Sequence, residues 1–522
     1  MNAIETAHMV MPTQDDAYRH AALHFPATEQ LLVEGGDTRI ALNPASGANK
    51  YGCRPRPDAD IAAFGSATST TISDTAFFAA KQLRNRLAQR IATEDAADVY
   101  ADEMNRIRHK LIALNGLNTC HGLDIVFAAS GTDVHLIAAQ LSAQAGSTAV
   151  RILIIDPAET GSGVPAALSG RHFGAHSALG EAVTQDLMLA KYSGNDVVSI
   201  PLRLADGTPR ASADIDADFE QQVVIAAAAG QRVLLTMVDV SKTGMIAPSV
   251  ACAVGLSRRF PDALDVLVDA CQFRIAPATL QAYLEQGFMV GVTGSKFITG
   301  PSFSGALLIP ENLSKKLRAV SVADKLQAYC TRADWPANWG MARQLGEEAN
   351  FGLLLRWESA IQELRAFRCI SNAVTTHFLR TFAEAIHTHL ASNLIFEALP
   401  VPELQRHPLA ATSWDDTQTI FPFLLFRPVD AFTRVPLNSA ETAQIYLALQ
   451  HASLGIERVQ LAQPVACGTR DGISVSALRM CVSSRLVVEA AQHNGRDEQV
   501  VIKRALRALD KVAQLVQAAA WR

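Results

Sequence analysis

The chain has 522 residues, which predicts two large domains or about three smaller ones. Hydrophobic residues make up 49% of it and charged residues 19%, so there is enough apolar surface for packed cores, and disorder over most of the length is excluded. The net charge is −5 and no basic run occurs, which gives no electrostatic reason to expect a nucleic-acid partner.

The cysteine pattern and the apolar runs narrow the class of protein further. The eight cysteines are scattered without the spacing of a disulfide framework or a zinc site, so no metal is expected. The first residues carry acidic side chains and no apolar segment, unlike a signal peptide, and no run approaches the roughly 20 apolar residues that cross a bilayer. We therefore expect a cytoplasmic protein with no membrane contact.

Residues 1–75 are predicted to form an N-terminal arm with loops near the substrate. This region contains NPASGANKYGC (43–53) and GSATSTTIS (65–73), which are rich in loop-forming Gly, Asn, Pro and Ser. From residue 76, apolar residues recur at helical spacing and predict two helices.

Short apolar runs then alternate with helical patterns. The runs are DIVFAA (124–129), RILIID (151–156), RVLLTMVDV (232–240), LDVLVDA (264–270), MVGVTG (289–294) and SGALLIP (304–310). Strands that are apolar on both faces and separated by helices indicate a mainly parallel sheet covered on both sides. We therefore predict a large α/β domain over residues 76–344.

A smaller α+β domain is predicted over residues 345–522. Two long amphipathic helices are expected over 344–367 and 369–393, and a third over 498–520. The segments IFPFLLFRP (420–428) and VSALRMCVS (475–483) have the pattern of strands, and QPVACGTRDG (463–472) is expected to form a loop.

The strongest chemical signal lies between residues 264 and 306. Asp269 stands at the end of a buried strand, where open parallel sheets bind ligands, and a buried carboxylate needs a partner. Lys296 follows in VTGSKFITGP, where small residues and Gly300-Pro301 crowd its surroundings. A partly desolvated lysine in such a loop suits a nucleophilic, Schiff-base-forming amine.

The pattern D-A-x-Q followed by S/T-G-x-K-x-x-x-G-P resembles the pyridoxal-phosphate (PLP) enzymes of fold type I. Within them it is similar to the class V aminotransferase and cysteine desulfurase group, in order of elements over residues 60–520. The resemblance implies an α/β fold with a large PLP-binding domain, whose sheet is of the seven-stranded type, and a smaller C-terminal domain. It also implies a homodimer, in which EEANFG (347–352) with Asn350 reaches toward the partner subunit's phosphate site.

The resemblance implies roles for three residues around the cofactor ring. Lys296 corresponds to the Schiff-base lysine, which later moves the Cα proton. Asp269 corresponds to the aspartate that pairs with the pyridinium nitrogen and makes the cofactor an electron sink. Gln272 corresponds to the residue that hydrogen-bonds the ring 3′-oxygen. Taken singly, Asp269 also fits a helix N-cap and Lys296 a surface lysine, whereas their joint spacing favours a cofactor site.

The resemblance also places phosphate ligands in two segments. Gly131 and Thr132, in ASGTDV (129–134), follow a strand and open a helix, whose positive end favours a phosphate. Thr293 and Ser295 lie close to Lys296, where the group usually has further phosphate ligands.

Two positions depart from the group's pattern. Thr160 follows Glu159 where a ring-stacking histidine is usual, and His172 or His176 could replace it. Ser241 is the nearest match to an asparagine that contacts the 3′-oxygen.

Candidate substrate contacts come from both ends of the chain. Arg479 corresponds to an arginine that binds the substrate α-carboxylate, which suits its fork-shaped guanidinium. Asn49 and Tyr51 are candidate substrate contacts in the first polar loop, together with Lys50 and Arg54.

Three reaction classes follow from these residues. The first is a class V-like aminotransferase acting on an amino-acid-type substrate through an external aldimine, for which Lys296 suffices. The second is a carbon–sulfur lyase or desulfurase, for which Cys467 is the candidate thiol and Cys271 a core cysteine, with decarboxylation or replacement chemistry also open. The third, a nicotinamide enzyme, is disfavoured because ASGTDV stands where GxGxxG is required.

Overall fold

Two β-sheets organise the chain in the computed structural model, which describes residues 25–144, 150–189, 195–409, 412–430, 432–451 and 457–519. The strands are β1 (Ile61–Phe64), β2 (Asp124–Ala128), β3 (Arg151–Ile155), β4 (Asp196–Ile200), β5 (Val233–Asp239), β6 (Ile246–Ala247), β7 (Leu264–Ala270), β8 (Met289–Thr293), β9 (Gly305–Ile309), β10 (Phe396–Ala398), β11 (Ile420–Pro428), β12 (Arg434–Pro436), β13 (Arg458–Arg470) and β14 (Ile473–Cys481).

Helices connect and cover these strands. They are α1 (Thr28–Leu31), α2 (Asp74–Ile91), α3 (Ala96–Leu114), α4 (Gly131–Gln144), α5 (Val164–Leu168), α6 (Ser212–Ala228), α7 (Val250–Arg259), α8 (Pro277–Glu285), α9 (Glu311–Leu317), α10 (Ala323–Leu326), α11 (Phe351–Arg368), α12 (Asn372–Ala391), α13 (Ser439–Leu449), α14 (Ser484–Ala490), α15 (Gln492–Gly495) and α16 (Glu498–Ala518). Short 3-10 helices cover Leu117–Thr119, Arg332–Asp334, Gly340–Gln344 and Trp414–Asp416.

The larger sheet has the order β2-β9-β8-β7-β5-β3-β4, and β6 pairs with β5 beside this path. Neighbours from β8 to β4 are parallel, whereas β9 runs antiparallel to both β2 and β8. Every residue of β2, β5 and β8 is buried, which explains why the apolar runs of the sequence do not alternate. The predicted α/β class and mainly parallel sheet are confirmed.

The smaller sheet has the order β1-β13-β14-β11-β10, with β12 against β11. Strand β1 belongs to the N-terminal arm and pairs in parallel with β13, from Ile61 opposite Arg458 to Phe64 opposite Leu461. The arm is thereby fixed to the C-terminal sheet and passes close to the larger sheet's carboxyl edge. The domain limits at residues 75 and 344 stay predictions.

Two local predictions are wrong. The segment 463–472 was expected as a loop, but most of it lies in β13, which pairs antiparallel with β14 through two register irregularities. Alternate residues Val465 and Cys467 face a buried apolar cluster, a period of two that the glycine and polar residues obscure. The helix expected from residue 344 begins at Phe351, because the Asn350 side chain accepts a hydrogen bond from Leu353 N and caps it.

The described ranges contain no helix that is both long and apolar enough to cross a bilayer.

Candidate active site

A pocket lies where the carboxyl ends of β5, β7 and β8 meet the N-terminus of α4, closed by loops of the arm and of the smaller sheet. It brings together ten of the residues that the sequence singled out: Gly131, Thr132, Thr160, Asp269, Gln272, Thr293, Ser295, Lys296, Arg479 and Tyr51. Residues far apart in sequence therefore meet at the edge where parallel sheets bind ligands. Ser241 and Asn49 are not part of this lining.

Asp269 and His135 form a buried ion pair at the base of the pocket. Asp269 is the penultimate residue of β7, and its Oδ2 lies 3.2 Å from His135 Nε2, while Cys271 N donates to Oδ1 at 3.1 Å. Burial alone would raise the pKa of Asp269, but the positive charges of His135 and Lys296 outweigh it and hold that pKa well below its usual value. The carboxylate therefore stays ionised at any neutral pH.

One hydrogen bond and one ion-pair contact of His135 favour its protonated form. Its Nδ1 lies 2.7 Å from the Gly131 carbonyl oxygen, which can only accept, so Nδ1 donates. Its Nε2 faces the Asp269 carboxylate, which also only accepts. Burial would lower the pKa of His135, but Asp269 outweighs it and raises that pKa. Sequence reasoning missed His135, although its position one helical turn after Gly131 could have revealed it.

Gln272 is held in one orientation by the N-terminal arm. Its Nε2 donates to the Ala67 carbonyl at 2.9 Å, and Arg274 Nε donates to its Oε1 at 3.4 Å. Arg274 is itself fixed by the Val482 carbonyl at 2.8 Å and by Ser66 Oγ at 2.9 Å. This network positions Gln272 beside Asp269 on the same pocket wall.

The N-terminus of α4 forms a polar cradle at the other end of the pocket. Arg39 donates from Nη1 to Thr132 Oγ1 at 3.2 Å and from Nη2 to Ser130 Oγ at 3.1 Å, and it pairs with Asp37 at 2.6 Å. Burial raises the pKa of Asp133 to about 6, so this carboxyl is still mostly ionised at neutral pH. No sequence signal pointed to Arg39.

The cradle also depends on close approach of the backbone. A Cβ at residue 131 would lie 2.9 Å from Cys271 Sγ, so a glycine is needed there. Thr293 donates its hydroxyl to the Cys271 carbonyl at 2.6 Å, which fixes this loop rather than leaving the hydroxyl free. Thr160 Oγ1, by contrast, is buried without a hydrogen-bond partner among the described residues.

Glu159 organises the loop beside Thr160 and leaves Ser241 outside the pocket. The Glu159 carboxylate accepts hydrogen bonds from Ser241 Oγ at 2.8 Å and from Thr243 Oγ1 at 2.7 Å. It also forms an ion pair with Arg203 Nε at 3.0 Å. Because the Ser241 hydroxyl is engaged in this way, the geometry does not support the contact with the ring that the sequence predicted. The next residue, Lys242, lines the pocket instead.

Arg479 forms part of the pocket wall together with Lys242 and Gln463. Its side chain is 1% exposed and donates to the Lys242 carbonyl at 3.0 Å, to Thr68 Oγ1 at 3.0 Å and to the Gln463 carbonyl. Its Nε is buried without a partner in the described part of the chain. These three bonds fix the guanidinium and leave two of its five N–H groups, Nε–H among them, for a ligand.

Lys242 is a second lysine in the pocket, and sequence reasoning missed it. Its Nζ donates to the Ala158 carbonyl at 3.3 Å. Burial, together with the charges of Arg479 and Lys296, lowers the pKa of Lys242 to about 8.

The first polar loop contributes Tyr51 and Lys50 to the pocket, whereas Asn49 and Arg54 stabilise or flank the loop. Tyr51 packs edge-on against Phe303 with ring centroids 6.1 Å apart. The side-chain Oδ1 of Asn49 accepts from Tyr51 N at 2.9 Å, and its Nδ2 donates to Ser302 Oγ at 3.3 Å. Arg54 is exposed and donates to a loop carbonyl.

The remaining sequence candidates lie outside the pocket. His172 pairs with Tyr329 at 2.7 Å, and neither it nor His176 is among the lining residues. Cys467 lies in β13, 1% exposed in an apolar cluster, which corrects the expected loop position. Asn350 donates to the Gly35 carbonyl at 3.2 Å besides capping its helix. The described residues hold no cluster of His, Cys, Asp and Glu suited to a metal.

No protein-family model and no curated protein matches the sequence, whereas many solved structures do. A variant of C-DES with glycine covalently linked to its PLP cofactor is 15% identical, with a TM-score of 0.52 over 87% of this chain and 100% of that one. Mouse CSAD in its apo form is 17% identical, with a TM-score of 0.51 over 87% and 84% of the two chains.

A NifS-like protein from Rickettsia africae is 10% identical, with a TM-score of 0.50 over 87% of this chain and 99% of that one. At such identities the likeness establishes the fold. The chain therefore has the fold of the fold type I PLP enzymes, as the sequence motifs predicted.

Proposed function

We propose that this protein is a PLP-dependent enzyme that acts on an amino-acid-type substrate by amino transfer. The observation that carries the proposal is the meeting of Lys296, Asp269 and Gln272 in one pocket, opposite a helix N-terminus. A homodimer and a cytoplasmic location remain part of the proposal.

The residues present fit this cofactor. The orphaned Thr160 Oγ1 and the N-terminus of α4 offer donors for a phosphate, and Gly131 lets the backbone approach it closely. Gln272 and the ionised Asp269 face the space beside Lys296. Thr160 stands at the position where this group usually has the histidine that covers the ring face.

PLP, when bound, supplies an electron sink for the negative charge that develops at the substrate Cα. With the cofactor bound, Asp269 would keep the ring nitrogen protonated, because the pKa of Asp269 is too low for it to take that proton itself. Lys296 Nζ would remove the proton from the substrate Cα and would give it back to complete amino transfer. Arg479 binds the α-carboxylate and fixes the orientation of the substrate.

Amino transfer requires no protein thiol, and the cysteines near the pocket are poorly suited to act as one. Burial raises the pKa of the Cys467 thiol and raises that of Cys271 well above its usual value, so neither favours the reactive thiolate. Cys271 also packs behind Gly131. These observations disfavour a desulfurase that uses Cys467.

A second candidate is carbon–sulfur cleavage without a protein thiol. It is supported by the likeness to C-DES, of which one structure, 15% identical with a TM-score of 0.50, is described as a cystine C–S lyase with cysteine persulfide as its reaction product. The same Lys296 would remove the Cα proton, and the bond to sulfur would break in place of amino transfer. Decarboxylation is a third outcome that the products would reveal.

The experiment has two steps. Purified protein is titrated with PLP, and a visible absorption band that borohydride removes is expected; a protein that shows no band contradicts the proposal. The loaded protein is then given amino acids with and without an α-keto acid. Keto-acid-dependent amino transfer supports the main proposal, whereas pyruvate with sulfide, or carbon dioxide, replaces it with one of the alternatives.

A further inference from the structure

The pocket carries more positive charge than a phosphate and one carboxylate require. Its lining contains five Lys or Arg side chains and two acids: Arg39, Lys50, Lys242, Lys296, Arg479, Glu159 and Asp269. Both acids already have cationic partners, since Glu159 pairs with Arg203 at 3.0 Å and Asp269 with His135 at 3.2 Å. Neither forms an ion pair with a lysine of the pocket, although the charge of Glu159 acts on Lys242 and that of Lys296 acts on Asp269.

Two of the cations are accounted for by the cofactor. Arg39 pairs with Asp37 at 2.6 Å and faces the α4 cradle, and Lys296 is the residue that the cofactor modifies. Arg479 is suited to the substrate α-carboxylate. Lys242 then remains without a role, and the exposed Lys50 lies at the pocket mouth.

Lys242 is placed beside Arg479 rather than apart from it. Arg479 Nη1 donates to the Lys242 backbone carbonyl at 3.0 Å, so the two residues form adjoining parts of one wall. Among the described residues, Lys242 Nζ donates a hydrogen bond to the Ala158 carbonyl alone, and no carboxylate lies within ion-pair distance. Lys242 and Arg479 are thus two largely buried cations on one wall of the pocket, and neither forms an ion pair with a described residue. Such a pair favours a ligand with two negative groups.

We propose that the substrate is an amino acid whose side chain carries a second carboxylate, and that Lys242 binds this group while Arg479 binds the α-carboxylate. The inference rests on the proposed function and adds the substrate class to it. Lys242 is thus a specificity residue. Burial and the charges of Arg479 and Lys296 lower the pKa of Lys242 to about 8, while Glu159 and Asp156 oppose this lowering. Lys242 is therefore still cationic at neutral pH, which agrees with this role.

The test uses ligands without an amino group, so that binding is measured apart from turnover. Glutarate and its monoamide, in which an uncharged amide replaces one carboxylate, have nearly the same shape and differ in one charge. Calorimetric titration of the PLP-loaded protein at neutral pH is expected to show glutarate bound about 10-fold more tightly or better, the effect of one charge-assisted hydrogen bond. Glutamate and glutamine then provide the matching pair for KM.

Lys242→Gln is expected to remove this preference and to leave the affinity for the monoamide unchanged, while Lys242→Arg retains part of it. Lys316→Gln, at an exposed lysine of α9, is the matched control and should keep the full preference. The visible cofactor band shows that each variant is folded.

Equal affinities for the two ligands, or a preference that survives in Lys242→Gln, overturn the inference. A protein that binds PLP and lacks the preference refutes the substrate class alone. A protein that never develops the cofactor band refutes the proposed function, and the inference falls with it.

Discussion

The two ends of the pocket are built in different ways. At the ring end, Asp269 and His135 stand on regular elements, β7 and α4, and form an ion pair with each other, while His135 Nδ1 bonds the Gly131 carbonyl. At the substrate end, Arg479 comes from β14, Lys242 from the loop after β5 and Tyr51 from the N-terminal arm. Arg479 and Lys242 form no ion pair there with any residue in the described part of the chain, and their side chains bond backbone carbonyls and a hydroxyl instead.

We expect the ring end to determine the chemistry and the substrate end to select the substrate. A rigid, internally paired ring end maintains one electrostatic environment whatever is bound, as a preorganised site requires. A substrate end with uncompensated charge gains most of its stabilisation when an anion arrives. We therefore expect substitutions at the ring end to lower kcat and those at the substrate end to raise KM.

The largest effect is expected at Lys296, which belongs to neither end alone. Lys296→Ala removes both the attachment point and the base, so amino transfer should fall by on the order of 10⁴-fold. The assay is the rate of keto-acid-dependent amino transfer, with Lys316→Ala as the exposed-lysine control. A variant at position 296 that retains most of the rate would contradict the assignment.

The next effect tests the ring end. Asp269→Asn keeps the shape but loses the charge that holds the ring proton, so kcat should fall about 100-fold or more while KM changes little. Asp265→Asn, near the start of the same strand and paired with Arg232 at 2.7 Å, is the matched control. Equal rates for the two variants would show that Asp269 takes no part in the chemistry.

Sequence reasoning found Asp269 at the ring end and Arg479 and Tyr51 at the substrate end, but it missed His135 and Lys242, for physical reasons. Asp269, Gln272 and Lys296 occur within one stretch, and a parallel sheet brings strand ends to one edge, so their order along the chain predicts their meeting. Lys242 and Arg39 have no local pattern, because their roles arise only where β5 and the arm approach β7 in space. The strand that carries Cys467 was missed because glycine hid its alternation.

A third effect tests the substrate end. Arg479→Lys keeps the charge but loses the fork that binds a carboxylate, so KM for an amino acid should rise about 10-fold or more with little change in kcat. An amine of the same length without the carboxylate is the control ligand, and its affinity should not change. If both ligands weaken alike, Arg479 acts instead by holding the Lys242 loop and strand β13 at Gln463.

The smallest effect concerns His135, which acts through Asp269. Because the pKa of Asp269 is depressed, the carboxylate is lost only as pH falls through that low value. His135→Asn removes the positive partner and raises the pKa, so the acid limb of kcat should move to higher pH by about 1 unit or more, with little change at neutral pH.

His172→Asn, outside the pocket, serves as the matched histidine control for this profile. An unchanged acid limb in His135→Asn would show that His135 has only a packing role.

The central claim is that Lys296 carries the cofactor, and peptide mapping after borohydride reduction of the PLP-loaded protein tests it most directly. Lys242 lines the same pocket and could also react with the cofactor, because its pKa of about 8 leaves part of its amine neutral. We predict a single stable adduct on the peptide that contains Lys296. An adduct on Lys242, or one spread over several lysines, would contradict the assignment of the site.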